Sequence, residues 1–476
     1  MEPHRNTVIY SLLQRVPWSA FDVLVEEHGS DKHVRKLPTK SQFIAIAFGQ
    51  MAGTAGLREI VSVVNTHEAK LYHLGATPVR RSTLSDANKR RPSAVFETLF
   101  ARLVGLSHRT LRKDMNELVY LIDSTSLKLN ALSARWARFS ANACGAKMHV
   151  VYDPDADQPV HAVFSTAKVN DITAAQKMPI VPGATYVFDL GYYHYRWWQS
   201  MHAQGCRFVT RLKKNTKLTI TRERRVKPGQ PILSDRIGYL PRRQAATRRN
   251  PFQDEVREVV VRIDNGKILR ILTNDLESPA QVIADLYKRR WAIELYFRWI
   301  KQTLAIRKFI GTSENAIRTQ IFIALIVFLL IRLAHAAQTA VASPLTFMRL
   351  VRAHLMSWRD LADLQVERPR AVRKAVATGR DDPDWADPPL GSGARPRTRV
   401  EKIPRVAGAT DLNRTAVVQT RHPRLALLQP WKGVDAGLRR HDGEELTEES
   451  IFPTAGITGR YQRGFPRNTR RITADR

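Results

Sequence analysis

Residues 281–304 read QVIADLYKRRWAIELYFRWIKQTL. An α-helix turns about 100° per residue. With Tyr287 set at the origin, Arg290, Glu294 and Lys301 then lie near roughly 300°, 340° and 320°, all within about 60° of arc. Val282, Leu286, Ile293, Phe297, Ile300 and Leu304 fall on the adjoining arc at roughly 220–280°. The spacing predicts one continuous helix with an apolar stripe against a core. Beside that stripe runs an edge with a carboxylate, two cations and a phenol. A plain solvated face carries i,i+4 ion pairs and nothing aromatic, so this edge points to a site.

Working outward, four short runs precede the helix: LVYLID (118–123), MHVVYD (148–153), TYVFDL (185–190) and RFVTRL (207–212). Their β-branched and aromatic content and their length predict buried strands. Asp123 closes the first run and Asp189 stands near the end of the third. A carboxylate at a strand end is lifted out of the core and held rigidly, as a hard cation requires. The plainer reading is that Asp opens a turn. Asp153 begins DPDAD and takes that plainer reading, as a hairpin loop. Between 216 and 275, alternating segments such as VREVVVRID and KILRILTND predict an antiparallel β insertion.

Residues 4–100 read as helices. Thr39 is a candidate cap for a helix through SQFIAIAFGQM, and the Gly53–Gly56 break leads into LREIVSVVN, a helix-turn-helix-like pair. In RRSTLSDANKRR (80–91), Ser82 is a candidate cap of a polar helix flanked by arginines. Such a helix suits a DNA groove or plain solvent. The tail from 368 carries 19 Arg against 3 Lys without core-forming periodicity, which predicts a flexible appendage. The expected organisation is a helical DNA-binding domain over 1–100, a catalytic domain over 110–350 and a flexible tail over 368–476.

Composition agrees. Lys+Arg outnumber Asp+Glu by 76 to 44, a formal charge of +32, and an excess this large points to a polyanion, most often nucleic acid. A hydrophobic share of 43% supplies a core and argues against wholesale disorder. Cys144 and Cys206 are too few for a disulfide scaffold or a Cys-based zinc site and read as small buried residues. The run IFIALIVFLLI (321–331) falls short of the ~20 residues of a membrane span and reads as a buried helix. The N-terminal residues show no secretory pattern, so a cytoplasmic, nucleoid-associated protein is expected.

Tyr287-x2-Arg290-x3-Glu294-x6-Lys301 resembles in full the YREK signature of insertion-sequence DDE transposases. YLIDSTSLKL, TYVFDLGYYHY, FVTRLKKNT, ILTND and FIGTSENAIRTQIFIAL are similar to further blocks of that family, as are HRNTVIYSLLQRVP, DKHVRKL and RSTLSDAN. The resemblance spans roughly residues 4–350 and leaves the tail aside. It implies an α/β fold with an RNase H-like core, and Asp123, Asp189 and Glu294 as the catalytic, metal-holding triad. It also implies that Tyr287, Arg290 and Lys301 contact phosphates at the element end. The family often carries a tryptophan in its β insertion; residues 216–290 have none, which leaves Trp291 as the candidate for base stacking or, equally, a core residue.

Chemistry agrees with the resemblance. Three carboxylates suit two Mg²⁺ ions, with Mn²⁺ able to substitute, and phosphodiester cleavage and strand transfer then need no side-chain nucleophile. No GxxxxGK[ST], HExxH or CxxC competes. The expected function is cut-and-paste transposition on terminal inverted repeats and target DNA, with a homodimer pairing two ends. Two other readings stand: a non-catalytic DNA-binding remnant acting as a repressor, and a host nuclease of the RNase H class, which would not need the Tyr/Arg/Lys edge.

Overall fold

A computed structural model describes residues 6–364, apart from 55, 113–116, 228, 230, 246–247, 264–265, 305 and 307. The Arg-rich tail lies outside the described residues.

The chain opens with seven helices: α1 (Val8–Leu13), α2 (Trp18–Glu27), α3 (Thr39–Ala52), α4 (Leu57–Thr66), α5 (Glu68–Leu71), α6 (Arg81–Arg90) and α7 (Ala94–Leu111). Helix α3 is buried along almost its whole length. Its C-terminal turn closes on Gly53 at φ 77°, a left-handed conformation that glycine adopts freely. The helix–glycine–helix pair read from the sequence is therefore present. The caps differ from expectation. Thr39 is the first residue of α3 rather than its cap, and its N–H and hydroxyl donate to Asp31 Oδ1 at 2.8 and 2.7 Å. Helix α6 begins at Arg81, capped by Arg80 with no side-chain bond, so Ser82 caps nothing.

A ten-stranded sheet follows. Its first five strands in sequence around the core are β1 (Val119–Leu129), β2 (Arg138–Ser140), β3 (Ala143–Asp153), β4 (Gln158–Thr166) and β5 (Thr185–Phe188); β6 (Arg207–Arg211) comes next. In space the core runs β4-β3-β1-β5-β6. Strands β3 and β4 run antiparallel to their neighbours, whereas β5 pairs parallel to β1 and β6 parallel to β5. This is an RNase H-like α/β core. The antiparallel insertion is real and extends the same sheet: β7 (Thr219–Arg224), β8 (Ile232–Tyr239), β11 (Val256–Arg262) and β12 (Ile268–Thr273) join it through β12 on β6. Between β8 and β11, β9 (Arg243–Ala245) and β10 (Arg248–Arg249) form a separate small ladder.

Alternation along β1 assigns the two sheet faces. Val119 and Leu121 face the larger core, shared with α7 and the C-terminal helices. Tyr120 and Ile122 face a second core, shared with the short helices α9 (Asp171–Ala175) and α10 (Tyr195–Ala203), which contribute Ala175, Trp197, Trp198 and Met201, while α8 (Ala134–Ala137) sets Trp136 against Phe164 of the larger core. Trp198 is fully buried there, stacked on Phe208 at 5.3 Å. After the insertion come α11 (Ala280–Arg289), α12 (Trp291–Thr303), α13 (Glu314–Ala336) and α14 (Pro344–His354). Helix α13 contains the 321–331 run. It is long and apolar enough to cross a membrane, but it is mostly buried in protein, against α7 and other N-terminal helices. Cys206 is buried and Cys144 only half-buried; both are free thiols.

The predicted single helix over 281–304 is two helices meeting at Arg290. There the Arg290 N–H bonds the Tyr287 carbonyl at 3.1 Å, one residue tighter than an α-turn. The break also rotates the N-terminal half. Ile283 is buried in place of Val282, which is exposed, while Leu286, Ile293, Phe297, Ile300 and Leu304 stay in the core.

Candidate active site

Register places the two aspartates. Ile122 of β1 pairs with Phe188 of the parallel strand β5. Asp123 and Asp189 are the next residue on each chain. Asp189 follows the last residue of β5, whereas Asp123 lies inside β1, which runs on to Leu129 paired with β3, so the strand end expected at Asp123 is only the end of the parallel pairing. Strand β1 is where the sheet changes from antiparallel to parallel neighbours, the kind of position where open α/β sheets leave a crevice for ligands. Asp189 leaves the sheet immediately and caps the following turn, accepting the Gly191 N–H at 2.8 Å. Asp123 is 5% exposed and accepts the Ser124 N–H at 2.7 Å.

The α11–α12 junction supplies the other wall. Arg290 donates to Glu294 Oε1 at 2.7 Å and reaches Asp123 Oδ2 at 3.5 Å. One guanidinium thus ties the helix carboxylate to the strand carboxylate. Tyr287 is nearly buried and lies beneath that guanidinium, 5.9 Å from ring centre to the guanidinium carbon. Trp291, the next residue along, is 51% exposed, so it is not the core tryptophan that its sequence context equally allowed. Lys301 is half-buried two turns further along α12.

The electrostatics show a crowd of carboxylates short of positive charge. Burial pushes the Asp123 carboxyl up to about 7, and Asp189 and Glu294 push the same way, against the Ser124 N–H and Arg290. Burial works to lower Arg290, but Tyr287, Glu294 and Asp123 outweigh it and leave the guanidinium more firmly protonated than usual. Burial raises the Tyr287 phenol above its ordinary value, opposed by Arg290 and Arg211 and reinforced by Asp189. The donor set is all oxygen, which fits a hard divalent cation. Among the described residues, no three acidic, His or Cys side chains close on a single point. In this arrangement the Arg290 guanidinium stands between Asp123 and Glu294, where a cation would go.

Sequence reasoning missed a second layer on the opposite sheet face. Ser124 donates to Asp171 Oδ1 at 2.9 Å, and Lys147 donates to the same oxygen at 3.0 Å. The Tyr192 ring is fully buried nearby, its phenol raised by burial and then by Asp123, Asp171 and Asp189. Arg211, at the end of β6, is close enough to act on Tyr287. In the sequence, Asp171 is only an acidic residue at the start of a helical turn, so nothing marked it.

Sequence comparisons with known proteins identify a family. Residues 114–330, which hold Asp123, Asp189 and Glu294, match the transposase DDE domain, and residues 4–77 match a domain of unknown function. A protein of Sinorhizobium fredii named as transposase y4zB is 40% identical over 300 residues, 63% of this chain and 83% of that one. The protein named as the transposase for insertion sequence element IS5377 of Geobacillus stearothermophilus is 28% identical, covering 60% and 79% of the two chains. The solved piggyBac transposase synaptic complex with hairpin DNA aligns over 78% of this chain and 85% of its own, with a TM-score of 0.39 and 12% identity.

Fold and site define an RNase H-like protein whose Asp123, Asp189 and Glu294 lie where its sheet changes from antiparallel to parallel pairing. The chain belongs to the DDE transposase family of insertion sequences.

Proposed function

We propose that the chain binds the terminal inverted repeats of an insertion sequence and catalyses Mg²⁺-dependent strand cleavage and strand transfer, moving the element by cut-and-paste. Asp123, Asp189 and Glu294 act as catalytic, metal-holding carboxylates. Tyr287, Arg290, Trp291 and Lys301 hold the DNA, which completes the YREK reading. The observation that supports this is the approach of Asp123, Asp189 and the Arg290–Glu294 pair where the parallel pairing of β1 and β5 ends.

Two divalent ions, Mg²⁺ or Mn²⁺, would supply charge stabilisation for the attacking and the leaving oxygen when bound between the carboxylates. The protein's own groups do the rest. Asp123 and Asp189 are fixed by strand register, so the strand end they face is positioned without reorganisation. Arg290 swings from Glu294 to a phosphate, which it grips bidentately. The Tyr287 phenol, held protonated, donates a hydrogen bond. The exposed Trp291 ring offers a stacking face to an end base. In the first displacement, water attacks phosphorus and the 3′ oxygen of the element end leaves as a free hydroxyl. In the second, that hydroxyl attacks a target phosphodiester; a new bond to the element forms and a target 3′ oxygen leaves.

The test uses purified full-length protein, Mg²⁺ and a duplex carrying the inverted repeat found beside the coding region. Wild type nicks at the repeat boundary. Asp123→Ala, Asp189→Ala and Glu294→Ala bind the duplex but do not cut, and full cutting by any of them overturns the assignment. Bacterial, nucleoid-associated action on two ends at once calls for at least a homodimer. The mass of the protein–DNA complex checks this, since one protomer holding both ends would refute it.

A further inference from the structure

Asp123 hangs from a strand whose next residue points through the sheet to the opposite face. That residue, Ser124, is buried, with its N–H on Asp123 Oδ1 and its hydroxyl on Asp171 Oδ1. Asp171 opens α9 and is otherwise held by one cation, Lys147, which also donates to the Val169 carbonyl at 3.2 Å. Lys147 lies on β3, opposite Ser126, so it is anchored in the same ladder as Asp123 itself. His149, opposite Ser124, has its Nδ1 3.7 Å from Asp171 Oδ1 and its Nε2 on Ser165 at 2.8 Å. Burial lowers its pKa to about 4, so it adds no charge at neutral pH.

The far oxygen of Asp171 looks toward the second aspartate. A methyl group on Gly191 would sit 3.5 Å from Asp171 Oδ2 and 3.0 Å from Asp189 Oδ1. The Asp171 carboxylate is therefore linked to Asp123 through the Ser124 hydrogen bonds, and its other oxygen and Asp189 Oδ1 both lie against Gly191. A surface ion pair would do neither. Partners of this sort commonly orient the carboxylates that bind a metal, and their loss costs about 10- to 100-fold in affinity or rate.

We infer that Asp171, held by Lys147, is a positioning residue for strand cleavage, setting the Asp123 carboxylate through Ser124. The inference rests on the assignment of Asp123 above and extends it to residues on the other face of the sheet. It makes no claim that Asp171 touches DNA or a metal.

The experiment measures the rate of cleavage against duplex concentration for full-length Asp171→Asn, Ser124→Ala, Ser124→Thr and the Asp171→Asn/Ser124→Ala double variant. Melting temperatures are recorded for each, with Asp123→Ala as a control. The maximal rate is expected to fall about 10- to 100-fold in Asp171→Asn and in Ser124→Ala, with the half-saturating duplex concentration unchanged. The double variant should fall no further than the worse single one, because both break the same link. Ser124→Thr keeps the hydroxyl and should restore most of the rate. Multiplying losses in the double variant, a wild-type rate in Ser124→Ala, or a rate loss that follows melting temperature would overturn the inference. An active Asp123→Ala would instead overturn the assignment on which it rests. An inactive Asp123→Ala beside a fully active Asp171→Asn would remove the positioning role alone.

Discussion

The strand pair and the helix junction bring acidic groups to one point by different means. Asp123 and Asp189 are adjacent because Ile122 pairs with Phe188; Asp123 is inside β1 and Asp189 is tied to the end of β5 by one peptide bond. Glu294 arrives on a helix that starts at a tight turn, about a third of its side chain is exposed, and Arg290 holds it at 2.7 Å. One wall is set by backbone and the other by a side chain that can change partner. On the proposed function, a site that admits cations and a DNA strand gains from that division. On that function, the rigid wall sets geometry, and the movable one opens when a cation displaces Arg290 from Glu294 or a phosphate draws Arg290 away.

The largest effects test the rigid wall. Asp123→Ala or Asp189→Ala should lower the cleavage rate by about three orders of magnitude or more, ~4 kcal/mol of barrier, with end binding little changed in a gel-shift assay. Comparable loss in binding would mean that these carboxylates shape the DNA site rather than the chemistry. Arg290→Ala tests the movable wall. Loss of a charged phosphate contact should weaken end binding about tenfold or more, at ~1.5–3 kcal/mol for such a bond. In the DNA-free protein the same change removes the cation competing at Glu294. Mn²⁺ affinity, read by titration calorimetry, should therefore tighten; unchanged affinity would show that Arg290 does not occupy the cation's place.

Stability as a function of pH separates the walls again. The Asp123 carboxyl is raised from its ordinary value to about 7. A raised carboxyl favours folding while protonated, so its contribution is complete below about pH 4, fades as pH rises, and is lost above about 7. In metal-free protein, Asp123→Asn should thus leave the melting point unchanged near pH 4 and raise it above pH 7, with a gain in unfolding free energy of up to a few kcal/mol at about 1.4 per unit. A melting point that falls at pH 8 would show the charge to be compensated after all. Lost activity alongside gained stability is the usual bargain at such sites.

How much of this could be read from residues alone follows the same division. Strands announce themselves through local composition, so LVYLID, TYVFDL and RFVTRL identified β1, β5 and β6, and the aspartates came with them. The parallel order, and so the meeting of Asp123 with Asp189, needed the family resemblance, because pairing is not local. The helix wheel put Tyr287, Arg290, Glu294 and Lys301 on one edge of an unbroken helix; the structure brings Tyr287, Arg290 and Glu294 together but across a break at Arg290. The turn at Arg290 carries no Pro or Gly to announce it, and the Arg290–Glu294 contact has the i,i+4 spacing of an unbroken helix. Asp171 and Lys147 were invisible because their meaning lies wholly in which strand they fall beside. Thr39 and Ser82 failed as caps since Asp31, eight residues upstream, and the backbone at Arg80 fill those roles.

The smallest effect concerns Trp291, at the seam between the two helices. A tryptophan 51% exposed contributes little packing. Its replacement by Ala should change stability by no more than about 0.5 kcal/mol, the range of ordinary surface substitutions. Stacking on a nucleic-acid base is worth about 1–3 kcal/mol, so the same variant should bind a pre-cleaved repeat end roughly 5- to 100-fold more weakly. An intact duplex without an exposed terminal base should bind as before. The two measurements together decide between the ring's uses. A large melting-point drop would return Trp291 to the core, and equal weakening on both duplexes would make it a general DNA contact. Selective loss on the cleaved end would place the tryptophan that this family often carries in its β insertion on the movable wall instead, one residue from the arginine that must let go of Glu294.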